Sequence, residues 1–148
     1  MSNHLHANDL VDEALSALPY IPKKLFGQEQ LLQTGDLHPS HFHILHIVQQ
    51  LGPIRMSEIA QALGINKSNL TPLIQKLIDY HYIKKEKSSH DRRVTFIHLT
   101  NEGQAFLEDK KKMLEEKVEN RLSTLTKDEQ IQLKQAFKTI SSVLSKLD

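Results

Sequence analysis

The side chains best placed to do chemistry are cationic. Between Lys67 and Arg93 stand seven basic residues, Lys67, Lys76, Lys84, Lys85, Lys87, Arg92 and Arg93, against three acidic ones, Asp79, Glu86 and Asp91. The 148-residue chain carries a net charge of only +1, so the +4 of this segment leaves −3 for the remainder. Positive charge gathered into one stretch points to a polyanion as partner. If the first half of the stretch is a helix, its exposed Lys67, Ser68, Asn69, Thr71, Gln75 and Lys76 can reach phosphate oxygens or hydrogen-bond to base edges. A helix of that size fits the major groove of B-DNA. On charge alone, a merely solvated face is the competing reading.

A second group is made of histidines, nine in the chain. His38, His41, His43 and His46 fall close together, and the pairs His38/His41 and His43/His46 are three apart, near enough on a helix to share a face and hold a metal ion. Partly exposed structural or pH-responsive imidazoles are the simpler expectation, so no metal or other cofactor is predicted. The absence of cysteine excludes a disulfide framework, thiolate metal sites, a cysteine nucleophile and thiol-based sensing. Serine, histidine and aspartate are present, but no nucleophile-elbow sequence or glycine-rich phosphate loop accompanies them, and an enzyme is not expected.

These residues must be positioned by elements that are mostly helical. Hydrophobic residues make up 39% of the chain, enough for one domain with a core. Leu10, Ala14, Leu18, Ile21, Leu25 and Leu32 recur at helical steps from Asp9 to Gln33, with a break expected at Pro19 and Pro22. Pro39-Ser40 opens a second helix with Ile44, Leu45, Val48 and Leu51 on its apolar face, ended by Gly52-Pro53. Ser57 and Glu58 start a short helix over Glu58 to Leu63. A tight Gly64-Ile65-Asn66 connection leads to the next, from about Lys67 to Tyr80, buried through Leu70, Leu73, Ile74, Leu77 and Ile78. Two short helices about such a turn make a helix-turn-helix. The period then changes to two: Ile83, Val94, Phe96, Ile97 and Leu99 flank a polar stretch and predict a β-hairpin. Thr100 caps a long helix to about Leu122, and Thr126 caps a last one carrying Ile131, Leu133, Phe137, Ile140, Val143, Leu144 and Leu147.

Four pieces, in order, carry a family resemblance: Ser57 to Ile65 (SEIAQALGI), Ser68-Asn69-Leu70-Thr71, Asp91-Arg92-Arg93, and Leu99 to Gly103 (LTNEG). Together they resemble the MarR family of winged helix-turn-helix transcription regulators. The resemblance implies a mainly α fold with a small β-hairpin wing, in which residues 37–100 form the winged helix-turn-helix DNA-binding part. Residues 1–36 and 101–148 supply dimerisation helices to the same continuous unit. It further implies a homodimer reading a pseudo-palindromic double-stranded operator, most often as a repressor released by a small-molecule effector or a change of conditions. By the family pattern the helix from Lys67 is the recognition helix, Arg93 enters the minor groove with Arg92 beside it, and Asp91 braces the wing. Lys84, Lys85 and Lys87 track phosphates. Thr71-Pro72-Leu73 resembles the peroxide-sensing branch of the family, whose cysteine this chain lacks.

His43 matches a ligand position of the zinc-sensing branch, but where that branch adds histidines after the wing this chain offers Glu108, Asp109 and Lys112. A zinc-responsive regulator of the same fold is therefore an alternative, as is a winged module that binds protein or RNA. Leu18, Tyr20, Phe26, Phe42 and His46 could line an effector cleft, though plain core explains them equally, and no ligand residue is assigned. No apolar run approaches the ~20 residues of a membrane span, and Met1 to Asp9 lacks the blocks of a signal peptide, so a cytoplasmic protein without membrane contact is expected.

Overall fold

Residues 6–27 and 34–147 are described by the computed structural model, and among them are seven α-helices and three strands, in the expected order apart from an added first strand. Helix α1 (Ala7–Ala17) ends in a 3-10 turn over Leu18–Tyr20, and α2 (Ile21–Phe26) follows. Both prolines sit at element starts, where the missing N–H has no intrahelical partner to lose. The far end of the expected first helix, including Leu32 and Gln33, lies outside the described residues.

Helix α3 (Pro39–Leu51) buries Phe42, Ile44, Leu45, Ile47 and Val48. Leu51 is not part of that face, being 67% exposed. It is the last residue before Gly52, where the chain turns away from the packed layer. The turn leads into a two-residue strand, β1 (Ile54–Arg55), that periodicity did not indicate. Helix α4 (Met56–Leu63) then starts two residues before the expected Glu58. Arg55, not Ser57, occupies the N-cap position, and its side chain makes no capping bond, because the helix leaves the sheet directly and buries Met56. Gly64 ends α4 in the left-handed region, at φ 66 and ψ 31. In α5 (Lys67–Asp79) the Asn66 side chain caps the first turn by accepting the Asn69 N–H at 3.0 Å.

Strands β2 (Ile83–Lys87) and β3 (Thr95–Leu99) form the expected hairpin, and β1 adds on the far side of β3 in an antiparallel sheet of order β1-β3-β2. Ile97 is central to it, opposite Ile54 on one side and Lys85 on the other. The core gathers Leu37, Ile44, Leu45, Ile59, Leu70, Ile74, Leu77 and Ile97, each essentially fully buried. Every such side chain contributes roughly 1.5–3 kcal/mol relative to exposure. This core fixes α5 on α3 and α4, and the sheet beside them, so the polar face of α5 points outward next to the hairpin.

Thr100 begins α6 (Asn101–Leu122), its hydroxyl accepting the Gly103 N–H at 3.0 Å and donating to the His81 carbonyl at 2.6 Å. Helix α7 (Lys127–Leu144) opens with a reciprocal capping box between Thr126 and Glu129. Neither α1 nor α7 buries a residue. Leu10, Leu15, Leu18, Ile131, Phe137, Ile140, Val143 and Leu144 all remain exposed, so both helices carry apolar faces that the described residues leave largely uncovered.

Candidate nucleic-acid interface

The outward face of α5 exposes Lys67, Ser68, Asn69, Thr71, Pro72 and Gln75. Several of these groups are oriented by local bonds. Ser68 Oγ donates to Asn66 Oδ1 at 2.7 Å, Thr71 Oγ1 to the Lys67 carbonyl at 2.9 Å, and Gln75 Nε2 to Asp79 Oδ1 at 3.0 Å. Pro72 removes the N–H that would bond to the Ser68 carbonyl. The helix tolerates it because Leu70, Ile74 and Leu77 anchor the opposite face. Lys67 occupies the first turn, where a cation opposes the helix dipole, so its place there is not owed to helix stability.

Lys76 stands at the edge of this face, on the side of Asn69 and Pro72. Nine residues beyond Lys67, at 3.6 residues per turn, it lies about 180° around the helix. Its Nζ is 2.9 Å from Asp36 Oδ2, while the Tyr80 hydroxyl donates to Asp36 Oδ1. The Tyr80 bond first, and Lys76 second, hold the Asp36 carboxyl down at about 2. The same bond raises the Tyr80 hydroxyl above its ordinary value. Lys76 is thus tethered to the segment before α3.

The wing is shaped by its own tip. Ser88 N–H donates to the Val94 carbonyl at 2.9 Å, and Ser88 Oγ accepts from His90 N–H at 3.2 Å. Asp91 accepts from the Arg93 backbone N–H at 3.0 Å, from Arg93 Nε at 3.1 Å and from Nη2 at 3.3 Å. Those bonds, the side-chain ones foremost, keep the Asp91 carboxyl below its usual range. Arg93 nonetheless keeps 91% of its side chain exposed. Lys84, Lys87 and Arg92 are exposed along the hairpin, and Glu86 pairs with His98 across the strands at 3.1 Å.

Between α5 and the wing runs a notch of about 360 Å³, lined by Arg55, Met56, Ser57, Lys67, Thr71, Lys85, Arg93, Val94 and Thr95. Sequence reasoning missed Arg55 because its strand is too short to show a period. It also left out Ser57, which sits beside Arg55 on the α4 first turn. The remaining signal was Lys85, whose side chain shares the Ile83 face of β2.

The histidines do not assemble into one site. His41 is 2% exposed, and its Nδ1 accepts the His38 N–H at 2.9 Å, which occupies one of its two ligand atoms. Burial first, then His38, lowers its pKa; burial and then His46 lower that of His43. Among the described residues, no three His, Asp or Glu side chains group as metal ligands do. His43 and His46, with Phe42, Leu107 and Glu108, line a cleft of about 710 Å³ between α3 and α6. Leu18, Tyr20 and Phe26 are not among the residues that line it.

A helix-turn-helix core, a three-stranded sheet with a braced wing and long flanking helices together define a winged helix-turn-helix, and the MarR family model matches residues 37–95. Over those residues the chain is similar to the MarR family. It is 30% identical over 91 residues to the HTH-type transcriptional regulator TcaR of Staphylococcus aureus (strain Newman), covering 60% of each chain. It is 32% identical over 73 residues to the HTH-type regulator YpoP of Bacillus subtilis (strain 168), covering 49% of this chain and 52% of that one. The match therefore spans about half to three fifths of these relatives. The MarR fold itself extends over nearly the whole chain. The crystal structure of Streptococcus pneumoniae FabT, a complex with DNA, superposes with a TM-score of 0.67 at 19% identity, covering 95% of this chain and 96% of FabT.

Proposed function

We propose that the chain is a sequence-specific DNA-binding transcriptional regulator, acting as a homodimer and most simply as a repressor released by a ligand or a change of conditions. The observation that carries this reading is the pairing of the polar face of α5 with a wing whose arginine is held by Asp91 and yet 91% exposed. Helix α5 enters the major groove and offers Ser68, Asn69, Thr71, Pro72 and Gln75 to base edges, while Lys67 meets phosphate. Arg93, with Arg92 beside it, reaches the adjacent minor groove, whose narrow stretches concentrate negative potential. Lys84 and Lys87 follow the backbone. Lys76 joins the contact by exchanging Asp36 for a phosphate.

Dimerisation is the reading of the two bare helices. Helices α1 and α7 expose Leu10, Leu15, Ile131, Ile140 and Val143, apolar side chains that a second copy covers at once. Two-fold symmetry then sets two α5 helices about one DNA turn, roughly 34–36 Å, apart and makes the operator pseudo-palindromic. An effector acts by binding unequally to dimers that do and do not present that spacing. Among the described residues no helix is long and apolar enough to cross a membrane, and a cytoplasmic location fits a regulator of this kind.

Footprinting on the DNA upstream of the chain's own gene tests the reading. Two protected patches related by a dyad, about 10 base pairs between centres, are expected. Absence of any protected site, with capture of a protein or RNA instead, would move the winged fold to another partner.

A further inference from the structure

Four cationic side chains from four separate stretches meet in the notch between α5 and the wing: Arg55 from β1, Lys67 from α5, Lys85 from β2 and Arg93 from the wing, with hydroxyls of Ser57 and Thr71 beside them. Among the described residues, no acidic side chain lines it. Glu58, the nearest partner of Arg55, stands 3.7 Å from Nε, and both side chains remain more than half exposed. The Arg55 guanidinium also lies 6.0 Å from the centre of the Phe96 ring, which steadies its plane without using its donors.

A helix in one major groove and a wing in the neighbouring minor groove bracket the sugar-phosphate strand that separates the two grooves. That strand must cross the space between them, and here the space is this notch. We propose that the notch seats a backbone phosphodiester of the bound DNA, with Arg55 as its principal anchor. The inference rests on the DNA-binding reading and deepens it by assigning a phosphate seat to a residue outside both the recognition helix and the hairpin. A planar fork of donors matches the paired oxygens of a phosphodiester. Lys67, unfavourably placed for its own helix dipole, gains an anion across it in the complex. Because a phosphate is the same at every step of the duplex, the seat fixes the register of α5 and the wing without reading sequence.

The test uses full-length protein and two fluorescein-labelled duplexes of equal length, one random and one from upstream of the gene, with anisotropy followed across a salt series. Each phosphate contact contributes about 0.9 to the slope of log K against log salt, so Arg55→Ala is expected to lower the slope by about 1.8 per dimer. Between 50 and 200 mM salt, a slope change of that size corresponds to about a tenfold change in relative affinity. The loss should be equal on both duplexes, and Arg55→Lys should keep most of the slope. A melting curve for each variant separates contact loss from misfolding. Wild-type slope and affinity in a folded Arg55→Ala protein would overturn the phosphate seat while leaving the DNA reading intact. Loss confined to the upstream duplex would overturn it too, since that is base readout. Failure of the wild type to bind either duplex at low salt would overturn the DNA reading and the seat with it.

Discussion

Replacing Gly103 with alanine tests whether the joint that holds α6 against the winged core is set by backbone contact. A Cβ at this position would lie 2.1 Å from the Tyr82 carbonyl oxygen, 3.0 Å from the Tyr82 carbonyl carbon and 2.8 Å from Leu99 Cδ1. Leu99 can rotate away. The Tyr82 carbonyl cannot, because it accepts the Thr100 N–H at 3.0 Å and follows the tight turn at the end of α5. Restoring ordinary contact requires a backbone displacement of roughly 1 Å, and forcing extra atoms into a packed site costs about 1–3 kcal/mol. The upper end applies where backbone must move, and alanine's better helix propensity returns up to about 1 kcal/mol. A net loss of about 2 kcal/mol lowers the melting temperature by about 4–8 °C for a chain of this size. Circular dichroism melting at one fixed protein concentration reads this, since dimer stability varies with concentration. A Gly103→Ala melt within about 1 °C of wild type, set against that 4–8 °C, would show that backbone contact at Tyr82 does not set this joint. Gly64→Ala serves as contrast. Gly64 has φ 66, and strain in the left-handed region costs about 1–2 kcal/mol, part of which Gly64→Asn should recover. Gly103→Ser, by comparison, should do no better than alanine.

Four further outcomes are expected. Asp36→Asn should bring the alkaline titration of Tyr80, followed by absorbance near 295 nm, back toward its ordinary value. An unchanged tyrosinate profile would show that the Asp36 contact does not persist in solution. The Asp36 carboxyl is depressed to about 2 from 3.8, so its contribution is complete above 3.8 and is lost only as pH falls through about 2. The tether should therefore be indifferent to pH between 5 and 8, and a loosening of Lys76 in that window, visible by NMR, would contradict it. Gln75→Ala should change the preferred sequence by about 1–3 kcal/mol at one base pair and leave random-duplex affinity nearly unchanged; equal losses on both would exclude base readout. Ile140→Glu sets a charge on the bare face of α7 and should shift sedimentation from dimer toward monomer, whereas an undisturbed dimer would place the interface elsewhere.

The winged core was legible because its signals are local. The Ile44-Leu45-Val48 and Leu70-Ile74-Leu77 stripes, the Gly64 turn and the Thr100 and Thr126 caps each show within a few residues. What sequence did not show depends on contacts between distant segments. Strand β1 is two residues long and exists only because Ile54 and Arg55 pair with Ile97 and Phe96, so Arg55 stayed hidden. The tether of Lys76 joins α5 to a carboxylate ahead of α3, which no periodicity registers. Leu51 fits the apolar stripe of α3 by spacing and misses the core only because the helix ends at Gly52. Gly103 reads as an ordinary helix residue until the Tyr82 carbonyl is placed against it.

The most direct measurement of the central claim is anisotropy of the purified protein on the upstream duplex, with a random duplex as control, salt as the variable and Arg93→Ala alongside. Binding should be tight and selective, weaken steeply with salt and collapse when Arg93 is removed. Weak binding, indifferent to sequence and to Arg93, would contradict the claim.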